Sequence, residues 1–597
     1  MEPELQQGVK ALEKYNFVRV CESGIEVKVE HGEALKVRKK EDALIITYDT
    51  KLHFYMTLAR GIGMGNGEQI IEPKVKELGF MLDCSRNAVP TVDTVKQLIC
   101  LLALLGYTYL ELYTEETYEL PDEPYFGYKR GRYSEVELRE IVAFSKIFGV
   151  QMVPCIQTLA HLKNLANWRM YYDHMDIDDI LMVGDERTYA LIHKMLTYCR
   201  DVFETSRIHV GMDEAFHLGR GCYIDKNGYR SKHEVYLEHL KRVFAICGEL
   251  GMQPDFWADG FYETDLQIED IKKIFDGNQL TIYWEYSIEE KEPHAQKMHQ
   301  LKEYAGKVGY AGATWRCLGY APNNGLSDRV ANVAFEAAFE CGVEDILMTA
   351  WGDDGGECSF YTLLPSMWYA AELIYPMRAD KEIIMEALTG YTDQEWRMCD
   401  KMNYVMPNAT KLCNSVKYLL HNDFLIGLMD ANIPDHAGEV YRDLLPQFEK
   451  LAQKESRFSY LFKSYAAACK VLIKKATYSK RLYKAYQEKD KDAIQNMVAE
   501  LEPIKEGLHQ FYNAYRIQWL KENKGFGFEV LDVRIGGLIS RVDTVVYVLE
   551  EYLAGRMERI YELEEGRIEY FCGRLEGDDV YVPLHNMWST LYTVNHI

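Results

Sequence analysis

"SEVELREIVAFSKIFGVQMVPCIQ" occupies residues 134–157 and places a helix directly before a strand. Ser134 followed by Glu137 is a capping box, so the helix begins there. Gly149 stops it, as glycine does where a helix must turn left-handed. The next stretch, "GVQMVPCIQ" (149–157), is a β-favouring run ending in a polar residue. The same unit recurs along the chain. Runs of this type are "LGFMLDCSR" (78–86), "YTYLELYTEE" (107–116), "RIHVGMDE" (207–214), "MQPDFWAD" (252–259), "QLTIYWEY" (279–286), "KVGYAGATW" (307–315) and "EDILMTAW" (344–351). With 149–157 they make eight, separated by amphipathic stretches such as "TVDTVKQLICLLALLG" (91–106). Eight alternations of strand and helix predict an α/β fold, a parallel (β/α)8 TIM barrel. Strands covered on both faces read as continuous apolar runs.

Outward from the barrel the pattern changes. "IEVKVE" and "ALIITY" alternate, which predicts a small α/β domain over residues 1–75 ahead of the barrel at 76–375. The glycines of "GIGMGNGEQ" (61–69) lack a Gly-Lys-Ser/Thr and read as a linker turn, not a phosphate cradle. Beyond residue 375 long helical stretches dominate, notably 457–520, so 376–597 reads as a mainly α-helical domain with a β-like tail, "GRIEYFCGRLEGDDVYVPL". These helices are expected to pack on the barrel, to form a homodimer interface or to supply a lid.

The whole chain of 597 residues is 48% apolar and 27% charged, as soluble globular proteins are. Its formal charge of −24 argues against a nucleic-acid partner, whose backbone rewards clustered cations. The longest apolar run, "LICLLALLGY" (98–107), falls short of the about 20 residues a membrane helix needs. The first residues lack a basic start followed by an apolar core, and no two of the 14 cysteines form a CxxC pair. A cytoplasmic protein with free thiols, no membrane partner and no cysteine-held zinc is expected.

Active sites of such barrels lie at the C-terminal strand ends. Those ends supply Asp83 and Arg86, Glu115 and Glu116, His161, then Asp213 and Glu214, then Trp257 and Asp259. Trp284, Glu285 and Tyr286, then Trp315, then Trp351, Asp353, Asp354 and Glu357 complete the circle. Four tryptophans at one mouth, with carboxylates, an arginine and a histidine, suit a carbohydrate: indole faces stack on C–H groups and charged groups hold hydroxyls.

Asp213 and Glu214 are adjacent. Each raises the other's pKa, and burial adds to that, so Glu214 is a candidate proton donor. Either residue alone would equally suit a loop cap. Two carboxylates flanking a glycosidic bond stand about 5–9.5 Å apart, which neighbours in sequence suit poorly. Neighbours do suit substrate assistance, where the sugar's 2-acetamido group is the nucleophile and the enzyme supplies an acid and an orienting carboxylate.

"HVGMDEA" (209–215) resembles the H-x-G-G-D-E signature of glycoside hydrolase family 20, the exo-acting β-N-acetylhexosaminidases, with Met212 in place of the second glycine. The resemblance covers roughly the first 375 residues. It implies a retaining hydrolase, without cofactor or metal, that releases terminal β-linked GlcNAc or GalNAc from a glycan through an oxazolinium intermediate. It further implies Asp213 as the acetamido-orienting carboxylate and Glu214 as the general acid/base. Arg86 would grip ring hydroxyls, and His161 would stand near the pair. Trp257, Trp284 and Trp351 would enclose the acetamido methyl and underlie the sugar, with Tyr286 donating to the acetamido oxygen. Asp353 or Glu357 would bind the outer hydroxyls. The chain departs from the pattern on strand 2, where Glu115 is the substitute, and on strand 7, where Trp315 and Arg316 stand as leaving-group contacts. Two alternatives compete: a metal-dependent barrel hydrolase with His161, His209, Asp213 and Glu214 as ligands, and a non-catalytic carbohydrate-binding barrel. Against the first, no strand end carries His-x-His or His-x-x-x-His spacing.

Overall fold

The computed structural model describes residues 2–21, 24–41, 43–262, 268–317, 319–405 and 415–569. After a helix at Pro3–Lys14, a small mixed sheet comprises β1 (Glu26–His31), β2 (Lys36–Lys40), β3 (Ala43–Tyr48) and β4 (Gly67–Ile70), in the order β1-β3-β2-β4. β1 runs parallel to β3, and β2 is antiparallel to both β3 and β4. The alternation in 43–48 is real burial: Leu44, Ile46 and Tyr48 point inward against a helix at Lys51–Ile62. The stretch 61–69 is not only a linker. Its last residues form β4, an edge strand whose side chains are mostly exposed, which is why they carry no apolar signal.

Eight parallel strands close the barrel: β5 (Glu77–Asp83), β6 (Tyr109–Tyr113), β7 (Gln151–Cys155), β8 (Arg207–His209), β9 (Gln253–Trp257), β10 (Leu280–Trp284), β11 (Val308–Ala313) and β12 (Asp345–Ala350). Each coincides with one of the eight runs read from the sequence. The helix before β7 spans Glu135–Phe148, is closed by the Ser134–Glu137 capping box, and ends at Gly149 with φ +79°. The helix at Val92–Leu105 is capped by Thr91 and ended by Gly106, also left-handed.

The barrel interior is less apolar than expected. Arg207 bonds Asp255 at 2.6 Å and Asp345 at 2.7 Å, and Tyr109 donates its hydroxyl to Asp345 at 2.7 Å. The guanidinium also lies over the Tyr109 ring. A lone charge there would be very costly; this one is paired and hydrogen-bonded.

After residue 375, helices at Ser415–His421, Ala437–Ala452, Ser459–Lys475, Tyr478–Gln487, Lys491–Glu522 and Phe528–Leu553 form the bulk of the last domain. The periodic stretch 457–520 is thus three helices broken by short turns. This domain packs on the C-terminal rim of the barrel: Thr91 N–H donates to Glu522, Lys524 N–H to Val89, and Asn87 Nδ2 to Gly527. Most of the β-like tail lies outside the described residues. Among those described, no helix is long and apolar enough to cross a membrane.

β8 is the shortest barrel strand because the backbone leaves the sheet at once. Gly211, Met212 and Glu214 have φ of +73°, +83° and +54°. A Cβ on Gly211 would stand 2.1 Å from the Gln157 Oε1, so only glycine fits there. Met212 has no such excuse, and its left-handed backbone costs about 1–2 kcal/mol. Its side chain is fully buried, however, and burying a methionine returns about 1.5–3 kcal/mol. Burial therefore offsets the strain, which accounts for methionine where the family signature has glycine. Met212→Gly should accordingly lower stability by about 1 kcal/mol, the burial lost less the strain relieved. Urea unfolding measures this, and a more stable variant would show that strain outweighs burial.

Candidate active site

Beyond β8, the carboxylates of Asp213 and Glu214 meet one histidine. His161 Nε2 stands 3.1 Å from Asp213 Oδ2 and 3.6 Å from Glu214 Oε2. Burial alone would lower the imidazole pKa. The charge of Asp213 and its hydrogen bond outweigh that and raise it to about 9. His161 is therefore an imidazolium at neutral pH. Asp213 is held below the usual carboxylate range: burial pushes it up, but His161 and the Gln157 amide pull it down further. Repulsion between neighbouring carboxylates, expected to dominate, is thus overridden at Asp213 by a cation from the loop after β7.

Gln157 organises this end of the barrel. Its Nε2 donates to Asp213 Oδ1 at 2.7 Å and to the Tyr113 hydroxyl at 2.9 Å, while its Oε1 accepts the Met212 N–H. Asp259, at the end of β9, accepts the Glu214 N–H at 2.8 Å on one oxygen and the Trp284 indole N–H at 3.3 Å on the other. Burial, and then the charge of Asp213, push its pKa up to about 7.

Arg86 occupies the opposite wall. Asp83 Oδ2 anchors it at 3.2 Å, and Asp83 is itself held by the N–H groups of Ser85 and Gly352. Glu115 Oε1 lies 3.5 Å from Arg86 Nε, and Asp353 Oδ1 lies 3.8 Å from it. The guanidinium stacks on Tyr113 and Trp351. Burial raises the Glu115 pKa to about 7 against the pull of Arg86.

Aromatic side chains join the two walls. Trp351 packs edge-on to Tyr113 and tilts against Trp257, and its indole N–H donates to the Tyr286 hydroxyl at 3.0 Å. Tyr286 stacks on Trp284 at 5.3 Å. Ten residues singled out from the sequence are thereby linked in one contact network: Arg86, Glu115, His161, Asp213, Glu214, Trp257, Trp284, Tyr286, Trp351 and Asp353. Beside Glu214 opens a cavity of about 330 Å³, lined among others by Met212, Phe216, Lys232, Tyr236 and Trp284.

Three side chains expected as ligand contacts are engaged within the protein instead. Glu357 is almost fully buried and paired with Lys417 at 2.9 Å and Arg534 at 2.7 Å, so its charge is consumed at the domain interface. Trp315 packs with Leu326 and Val330 and donates its indole N–H to the Tyr286 carbonyl, backing that turn from behind. Arg316 is buried and spends its donors on the carbonyls of Ala350 and Cys358. Of the residues that support the expected ligand contacts, Asp83 and Asp259 are among the strand-end carboxylates named from the sequence, without a role, whereas Gln157 and Tyr113 are not singled out there. All four lie within or just beyond strand ends, and their signal was position alone.

In a metal set built on His161 and His209, an ion would have to displace the proton that Asp213 holds on His161. His161 is held charged, and a charged imidazole has no free lone pair for an ion. His209 lies under Trp257, and its Nδ1 accepts the Gly211 N–H at 3.1 Å. The neutral ring, which burial enforces, therefore carries its proton on Nε2. Glu111, Cys155 and His209 come within ion-binding distance of one another inside the barrel. Burial pushes the Glu111 carboxyl and the Cys155 thiol well up and the His209 imidazole down, so all three favour their uncharged forms there.

Comparison with known proteins agrees with this arrangement. Residues 78–301 match the model of the glycosyl hydrolase family 20 catalytic domain, and residues 395–576 match that of the Glycoside Hydrolase 20C C-terminal domain. A beta-hexosaminidase of Akkermansia muciniphila is 23% identical over 227 residues, 32% of this chain and 45% of that protein. A probable beta-hexosaminidase of Drosophila melanogaster is 29% identical over 133 residues, 21% of this chain and 19% of that one. The chain thus spans less than half the length of these curated relatives. Solved structures that resemble it include a beta-N-acetylhexosaminidase of Bacteroides fragilis (17% identity, TM-score 0.49, 63% of this chain and 85% of that). Another is the GH20 beta-N-acetylhexosaminidase of Streptomyces coelicolor (16%, TM-score 0.48, 66% and 91%). The two family models, one on the barrel and one on the helices, together cover more than half of the sequence, and the chain belongs to glycoside hydrolase family 20.

Proposed function

We propose that this protein is an exo-acting, retaining β-N-acetylhexosaminidase that removes terminal β-linked GlcNAc or GalNAc by substrate-assisted catalysis. The observation that carries the reading is the division of labour between two adjacent carboxylates. Asp213 is kept ionised by His161 and Gln157, while the Glu214 side chain stands at the edge of the cavity.

The acetamido oxygen attacks C1 while Asp213 accepts the acetamido N–H. The developing oxazolinium charge is met by a carboxylate that needs no reorganisation to receive it. Glu214 protonates the departing oxygen, and then takes a proton from the water that opens the ring, so the two inversions give net retention. The Asp259 carboxylate fixes the Glu214 backbone, and through Trp284 couples it to the stacking platform. The Tyr286 hydroxyl accepts from Trp351, which leaves its own hydrogen for the acetamido oxygen. Arg86, with Glu115 and Asp353, faces the ring hydroxyls, and the cavity beside Glu214 takes the leaving group. A terminal sugar with all its outer hydroxyls bound makes the enzyme exo-acting. The cysteines among the described residues are free thiols, which supports a reducing, cytoplasmic setting.

Glu214→Gln should reduce hydrolysis of a chromogenic β-GlcNAc substrate roughly 10²–10⁴-fold; full activity would overturn the assignment of the acid. Chromogenic β-glucosides, which lack the acetamido group, should be turned over poorly, and equal rates would refute substrate assistance. His161 should titrate by NMR with a midpoint near 9. Because the folded value is raised, its contribution to stability is fully present below about pH 6.5 and is lost as pH rises through about 9. A midpoint at or below that of a free imidazole would remove the ion pair from the mechanism.

A further inference from the structure

The loop after β12, residues 352–357, carries a single side chain that reaches Arg86. Asp353 keeps 42% of its side chain exposed at the mouth, whereas Glu357, four residues on, is sealed inside. Between them Asp354, Gly355 and Gly356 take φ of +62°, +124° and +64°, a backbone that does not hold itself in place. Its restraints come from the helical domain. Arg534, on the helix Phe528–Leu553, donates to the Asp354 carbonyl and to Glu357. Lys417, on Ser415–His421, reaches the Asp354 carbonyl at 3.3 Å and Glu357 at 2.9 Å. Tyr515, on Lys491–Glu522, donates its hydroxyl to the Glu357 carbonyl. Asn87, the residue after Arg86, donates to the carbonyls of Gly527 and Gly355, tying the arginine's loop to the same domain.

Two cations, Lys417 and Arg534, and two carboxylates, Glu357 and Asp354, whose Oδ2 lies 3.7 Å from Lys417 Nζ, are thus gathered beneath the loop that carries Asp353. A rigid site that reads hydroxyl stereochemistry needs its carboxylate fixed to a fraction of an ångström, and a glycine-rich loop alone cannot supply that. We propose that the helical domain is part of the sugar subsite. Arg534, Lys417 and Asn87 are positioning residues that hold the 352–357 loop so that Asp353 and Arg86 together read the outer ring hydroxyls. GlcNAc and GalNAc differ in configuration at C4, so this bracing sets the discrimination between them. The inference rests on the hexosaminidase reading above.

The test compares kcat and KM of the full chain on chromogenic β-GlcNAc and β-GalNAc. The variants are Asn87→Gly, Arg534→Met, Asp353→Asn and each of the first two combined with Asp353→Asn. Asn87 has φ +76°, which glycine accepts without strain, so this variant folds even if loss of the buried Arg534 does not. Each single bracing variant should raise KM for the preferred epimer about tenfold with kcat nearly unchanged, and narrow the ratio between epimers. Neither should add anything in the Asp353→Asn background, because the loop then has no carboxylate to position. Wild-type constants for Asn87→Gly would overturn the proposal. So would equal loss of kcat on both epimers, or an effect that adds in full to that of Asp353→Asn. If the wild-type chain hydrolyses neither substrate, the hexosaminidase reading fails instead, an outcome distinct from each of these.

Discussion

Two carboxylates on consecutive residues must be held in one site without neutralising each other, and much of the mouth is arranged around that constraint. A continuing β-strand would send Asp213 and Glu214 to opposite faces of the sheet. The chain avoids this by leaving β8 after His209 and winding left-handed through Gly211, Met212 and Glu214. That backbone is not self-supporting. Gln157 takes the Met212 N–H, Asp259 takes the Glu214 N–H, and His161 stands between the two acids. Each brace arrives from a neighbouring strand, β7 or β9. The pair is therefore a property of three strands in register, not of a four-letter motif.

Most of the carboxylates around the mouth face a cation, in some cases a shared one. Asp213 has His161, Asp83 and Glu115 have Arg86, and Glu357 has Lys417 and Arg534. Asp259 has only hydrogen-bond donors, and burial lifts it towards neutrality. A chain with a formal charge of −24 can thus gather many acids at one rim without the rim repelling itself.

The barrel was legible because parallel strands covered on both faces produce apolar runs, and eight such runs with helices between them leave few architectures to consider. The site was legible wherever position along a strand decides exposure, as for Arg86, His161, Asp213, Glu214 and Asp353. It failed where a partner distant in sequence takes the side chain away. Nothing near Glu357 announces Lys417 or Arg534, and nothing near Trp315 announces Leu326 and Val330. The direction of the Asp213 shift failed for the same reason: the adjacent acid is visible in the sequence, whereas the histidine that overrides it comes from another loop. β4 failed because an exposed edge strand with one apolar residue in four has no apolar pattern to read.

Arg207 has one further implication, for how the barrel comes together. It stands on β8, and Asp345 stands on β12, four strands away around a ring of eight and so on the opposite side of the barrel. Asp255 on the adjacent β9 satisfies part of the guanidinium, but the second carboxylate reaches it only after the last strand has been laid beside the first. A half-built barrel ending before β12 would enclose a cation short of one partner, and a register slip in the closing strand would misplace that partner. Closure is therefore checked by charge across the diameter as well as by backbone pairing at the seam. This favours a cooperative, all-or-none assembly over stable fragments that stop short of the complete ring.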